Sequence, residues 1–93
     1  MIYNSNPQVE EATLTETLEV QDNKIILFDD DVNTFDFVIE SLMNVCGHDD
    51  LQAEQCTLIV HYKGKCDIKN GEYGDLEPIC TALLDRGLTA EIQ

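Results

Sequence analysis

Ninety-three residues hold one domain, and a chain this short buries only about 60% of its unfolded surface, which leaves a thin stability margin. Nineteen Asp and Glu against five Lys and Arg give a formal charge of −14, so the basic surface of a nucleic-acid reader is missing and partners should be cationic or offer an amine. No run of about eighteen apolar residues exists to span a membrane, and Met1 to Gln8 lacks the basic-then-apolar pattern of a signal peptide, so the expected compartment is the cytoplasm, where thiols stay reduced.

Residues 1–23 contain five acids, no Lys or Arg, and no sustained amphipathic spacing, and are expected to form a flexible acidic arm ahead of a domain over 24–93. The apolar run Lys24–Phe28 predicts a buried strand. Asn33 then reads as a helix N-cap, with Asp36 as its capping-box partner, and Phe35, Val38, Ile39, Leu42 and Cys46 follow at helical spacing. Gly47 ends that helix, Asp49 with Gln52 opens a second, and Ala53, Cys56, Thr57 and Val60 carry it to about Tyr62, where Gly64 stops it. His48 reads as a loop residue between the two. Lys65–Lys69 predicts a strand and Asn70-Gly71 a turn. A third helix is expected over about Glu72–Leu84, with Pro78 pushing its start toward Leu76 and Asp85-Arg86-Gly87 as its exit. Leu88, Ala90 and Ile92 alternate with polar residues as a last strand. The order β-α-α-β-α-β implies an α+β fold, a small two-layer domain with a three-stranded antiparallel sheet covered by helices.

Cys46, Cys56, Cys66 and Cys80 form no Cys-x-x-Cys pair, so they predict no metal site; Cys46, Cys56 and Cys80 sit among apolar neighbours as small core residues. No cofactor is expected. Cys56 precedes His61 by five positions on one helix, which points them about 140° apart, a poor nucleophile–base pair. The chain is therefore not expected to be an enzyme.

The acidic turn Asp29-Asp30-Asp31 is the unusual feature. A helix N-terminus favours one or two carboxylates by roughly 0.3–1 kcal/mol each, but three adjacent ones repel. Asp29, Asp31, Asn33 and Glu40 fit part of a calcium-loop template, which fails where Thr34 stands in place of the required Gly. A third reading is an ammonium site. A free N-terminus is a cation with three donors, and acceptors at the end of a strand with His61 alongside can meet them at roughly 1.5–3 kcal/mol each.

Lys24–Val38, with its acidic turn, and Leu58–Lys65, with Val60-His61-x-x-Gly64, together resemble the Clp protease adaptor family, ClpS. The tail from Glu72 resembles it loosely. The resemblance implies an adaptor that binds N-terminal hydrophobic residues (N-degrons) and delivers their bearers to a Clp-type ATP-dependent protease. Its partners would then be the N-terminal domain of an AAA+ unfoldase and N-degron-bearing substrates, with no nucleic acid and no membrane. Carried over position by position, Asp29, Asp30, Asp31 and His61 would bind the α-amine. Asn33, Phe35, Val38, Thr57, Val60 and Leu88 would form the hydrophobic pocket. Asp29 stands where the family has Asn, Asn33 where it has Thr, Phe35 where it has a gatekeeping Met, and Thr57 where Met is common. The region after Lys65 is shorter than the family norm, and Glu77 falls near a usual docking Lys. The alternative is a divergent interaction domain of the same fold that has lost N-degron binding.

Overall fold

A computed structural model describes residues 22–93. The proposed arm therefore lies outside the described residues, apart from its last two positions. The elements follow in the expected order: β1 (Asn23–Phe28), α1 (Phe35–Cys46), α2 (Asp50–Lys63), β2 (Lys65–Gly71), α3 (Tyr73–Asp85) and β3 (Thr89–Ile92). The strands form one antiparallel sheet in the order β2-β1-β3. Central β1 is the most apolar strand because both its edges are paired, and Ile25 and Leu27 are essentially fully buried. They pack with Leu42 of α1, Ala53 and Val60 of α2, and Leu76 and Leu83 of α3 in one core. Burying such apolar area contributes roughly 25 cal/mol per Å².

Three details depart from expectation. The cap of α1 is Thr34, whose Oγ1 accepts the Phe37 N–H at 3.1 Å, and Asn33 is used elsewhere. Asn70-Gly71 makes no turn of its own: β2 runs through it, pairing Asn70 with Lys24 and Gly71 with Asn23. Pairing with the apolar central strand outweighs the local turn preference. Pro78 does not push the start of α3 toward Leu76: the helix begins at Tyr73 with the proline inside it. The ring removes the N–H that would meet the Gly74 carbonyl, and Gly74 and Pro78 are both exposed, so water can replace that bond.

His48 lies in the loop between α1 and α2, as expected, and is buried there, 7% exposed. The register of β2 slips between its partners Ile25 and Ile26, which leaves Ile68 as an extra, bulged residue. The His48 ring meets the Ile68 carbonyl at 2.8 Å. A carbonyl only accepts, so Nε2 carries the proton and donates it, and this bond fastens the α1–α2 connection to the sheet edge.

Burial explains the thiols. Cys46 ends α1 in the core, and desolvation pushes its pKa up to about 11. Desolvation, reinforced by the Cys56 thiol beside it, pushes Cys66 up to about 12. Burial likewise raises Cys80, with Glu91 adding to it. A thiol held neutral in this way presents little thiolate, the form that reacts, at ordinary pH.

Candidate functional site

The carboxyl end of β1, the N-terminus of α1 and the C-terminal half of α2 meet at one corner of the domain. Gly64 adopts φ +92, a left-handed conformation that costs a side chain strain and glycine none, and ends α2 by donating its N–H to the Val60 carbonyl. Its own carbonyl accepts the Asp29 N–H at 2.9 Å. This bond continues the β1–β2 ladder past the Phe28–Lys65 pair and holds the acidic turn against the last turn of α2, where His61 stands.

Asp30 organises the turn. Its Oδ1 accepts the backbone N–H groups of Val32 and Asn33, each at 2.9 Å, and its Oδ2 accepts from Asn33 Nδ2 at 2.9 Å. Burial alone raises its pKa and is the largest single effect, but the Asn33 and Val32 hydrogen bonds together outweigh it. The carboxyl therefore sits below the usual carboxylate range. Asp29 and Asp31 flank it on exposed backbone, and the N-terminus of α1 behind them favours the accumulated negative charge.

On the facing helix, two aromatic rings stand edge-to-face with the His61 imidazole. The Phe35 ring lies 6.4 Å away at 84° and the Tyr62 ring 5.1 Å away at 75°. Thr57, one turn earlier, is buried because its hydroxyl donates to the Ala53 carbonyl at 2.7 Å.

These groups line a cavity of about 310 Å³, whose walls are Asp29, Asp30, Asp31, Asn33, Phe35, Val38, Thr57, Val60 and His61. Carboxylates and an imidazole stand together with the apolar side chains of Val38, Val60 and Phe35. Such a cavity can take a cation that carries an apolar group. Nine of the ten positions expected to form the site are thus brought together. Leu88 is not: it is 4% exposed in the hydrophobic core and does not line the cavity. Its N–H is tied to the Leu83 carbonyl at the foot of α3, which turns the side chain inward with the rest of the apolar layer.

Sequence reasoning missed the residues that hold the site in place. Thr34 caps α1, Gly64 joins the two halves, and Gly87 accepts from Asn33 Nδ2 at 2.9 Å. Both glycines are visible in the chain as helix stops, but nothing local indicates which groups their carbonyls will meet.

A model of the ATP-dependent Clp protease adaptor protein ClpS matches residues 19–91. The chain belongs to the ClpS family. Its members are adaptors of the Clp protease. Curated ClpS adapters from Campylobacter jejuni (serotype O:23/36) and Shewanella halifaxensis are each 40% identical to it over 58 residues, 62% of this chain. The matched part spans 60% of the Campylobacter protein and 57% of the Shewanella one. The solved structure of Agrobacterium tumefaciens ClpS2 bound to L-phenylalaninamide superposes with a TM-score of 0.76, covering 80% of this chain and 96% of that one. At 19% identity that likeness establishes the α+β fold, with its three helices and three-stranded antiparallel sheet. Among the described residues no helix is long and apolar enough to cross a membrane.

Proposed function

We propose that this ClpS-family chain binds the N-terminal residue of a substrate protein in the cavity between the acidic turn and α2, and hands that substrate to a Clp-type ATP-dependent protease. The observation that carries the reading is the make-up of the cavity, with acceptors for an ammonium and an apolar wall for the first side chain in one space of about 310 Å³. The ligand reported for the Agrobacterium relative supports it, since phenylalaninamide has a free α-amine beside a benzyl group. On this reading Asp29, Asp30, Asp31 and His61 receive the amine, while Phe35, Val38, Thr57 and Val60 surround the side chain and Asn33 closes the rim. The role asks for no bond-breaking step and no cofactor. The unfoldase's N-terminal domain is the proposed partner, and the cytoplasm the proposed compartment.

Titration with Phe- or Leu-started peptides, free and N-acetylated, tests this. Acetylation removes the charge and donors while leaving the side chain untouched. The free peptide should bind at least tenfold more tightly, because hydrogen bonds to a charged group are worth roughly 1.5–3 kcal/mol each. Equal affinities would overturn the amine site and favour an interaction domain that has lost degron binding.

A further inference from the structure

A primary amide has two N–H donors, and both of those on Asn33 are spent. Nδ2 donates to Asp30 Oδ2 and to the Gly87 carbonyl, each at 2.9 Å. Both partners are pure acceptors at neutral pH, so the amide nitrogen must face them and the side chain has one orientation. Asn33 thereby bridges the end of β1 to the α3–β3 turn, 54 residues further along the chain.

That turn is itself anchored. Gly87 donates to the Leu84 carbonyl at 2.9 Å. Arg86 Nε donates to the hydroxyl of fully buried Ser41 on α1 at 3.0 Å, and its guanidinium lies 5.2 Å above the Phe37 ring. The carbonyl that Asn33 grips is therefore fixed against the same helix that begins at the acidic turn.

We infer that Asn33 is the positioning residue of this cavity, locking the Asp30 carboxylate to the Gly87 carbonyl so that the α3–β3 turn aims the acceptor an ammonium would meet. The inference rests on the amine reading of the cavity. With two backbone donors on Oδ1 and the amide on Oδ2, the carboxylate keeps about one lone-pair direction for a ligand. A hydroxyl residue at position 33 has a single donor and cannot serve both acceptors. The depressed Asp30 pKa agrees with a carboxylate whose charged form is held by hydrogen bonds.

Asn33→Ala, Asn33→Thr and Arg86→Ala are compared with the wild type by carbon-detected titration of the Asp30 carboxyl and by affinity for a Phe-started peptide. Asp29, Asp31 and His61 line the same cavity and are followed as internal controls. Circular dichroism verifies that each variant is folded. The Asp30 midpoint should rise in Asn33→Ala, rise less in Asn33→Thr, and also rise in Arg86→Ala, which leaves the lining intact. Peptide affinity should fall about five- to tenfold in Asn33→Ala, the loss of one charge-assisted hydrogen bond's alignment. An unmoved Asp30 midpoint in folded Asn33→Ala and Arg86→Ala overturns the inference. If the wild type fails to bind the peptide, the amine reading falls, and the Asp30 titration still decides the positioning role by itself.

Discussion

Asp30 belongs both to the acidic turn and to the cavity lining. As the acceptor of three hydrogen bonds it shapes the turn, and as a lining carboxylate it is, on the proposed reading, one of the acceptors for the substrate's ammonium. Asp30→Ala should weaken a Phe-started peptide by about tenfold or more in calorimetry, given roughly 1.5–3 kcal/mol for a charge-assisted hydrogen bond. An unchanged dissociation constant would remove Asp30 from the site. The cysteines make a different kind of prediction. An unfolded thiol ionises near about 8.5, whereas folded Cys46 and Cys66 are held neutral up to about 11 and about 12. Above the ordinary thiol value the unfolded chain therefore binds fewer protons than the native one. The stability contribution is complete below pH ~8.5 and is lost as pH rises through the folded values. Urea midpoints should decline between pH ~8.5 and ~11, and less steeply in Cys46→Ala. A flat profile over that range would contradict the burial of these thiols.

At the scale of elements, local capping chemistry was legible and its assignment was not always right. Asp49 caps α2 as its sequence position suggests, accepting the Gln52 N–H at 2.7 Å. At α1 Asn33 is taken up by Asp30 three residues before it and by the distant Gly87 carbonyl, and the cap falls to Thr34. Gly64 carries the most consequence for the site, because its left-handed φ aims the carbonyl at Asp29. A Cβ there would meet nothing within 4 Å, so the penalty of Gly64→Ala is conformational rather than steric. The variant should be destabilised by about 1–2 kcal/mol in denaturant titration and should also bind peptide more weakly. Full stability in that variant would mean that α2 can end without the left-handed turn.

At the scale of the whole molecule, the chain carries a formal charge of −14, and three carboxylates line the cavity itself. Such a field raises the local concentration of cationic N-termini and is screened by salt over about 10 Å at 0.1 M. Association of a free-amine peptide should therefore slow markedly between about 50 and 500 mM salt in stopped-flow measurements, with a smaller effect on dissociation. A salt-independent association rate would show that the net charge plays no part in capture.

Much of this protein was settled by its sequence alone. The element order, the central apolar strand, the acidic turn and Val60-His61-x-x-Gly64 are local patterns. The hydrophobic periodicity and the special residues that create them act within a few positions. The tertiary structure decided everything that depends on which distant groups meet. It seated Leu88 in the core instead of the cavity, ran β2 through Asn70-Gly71, buried His48 against a bulged carbonyl, and drew Asn33 to the distant Gly87 carbonyl. Each of these outcomes follows from a hydrogen bond or apolar contact between separated segments. The free energy of such a contact exists only once the chain has closed on itself, so no window of sequence can display it.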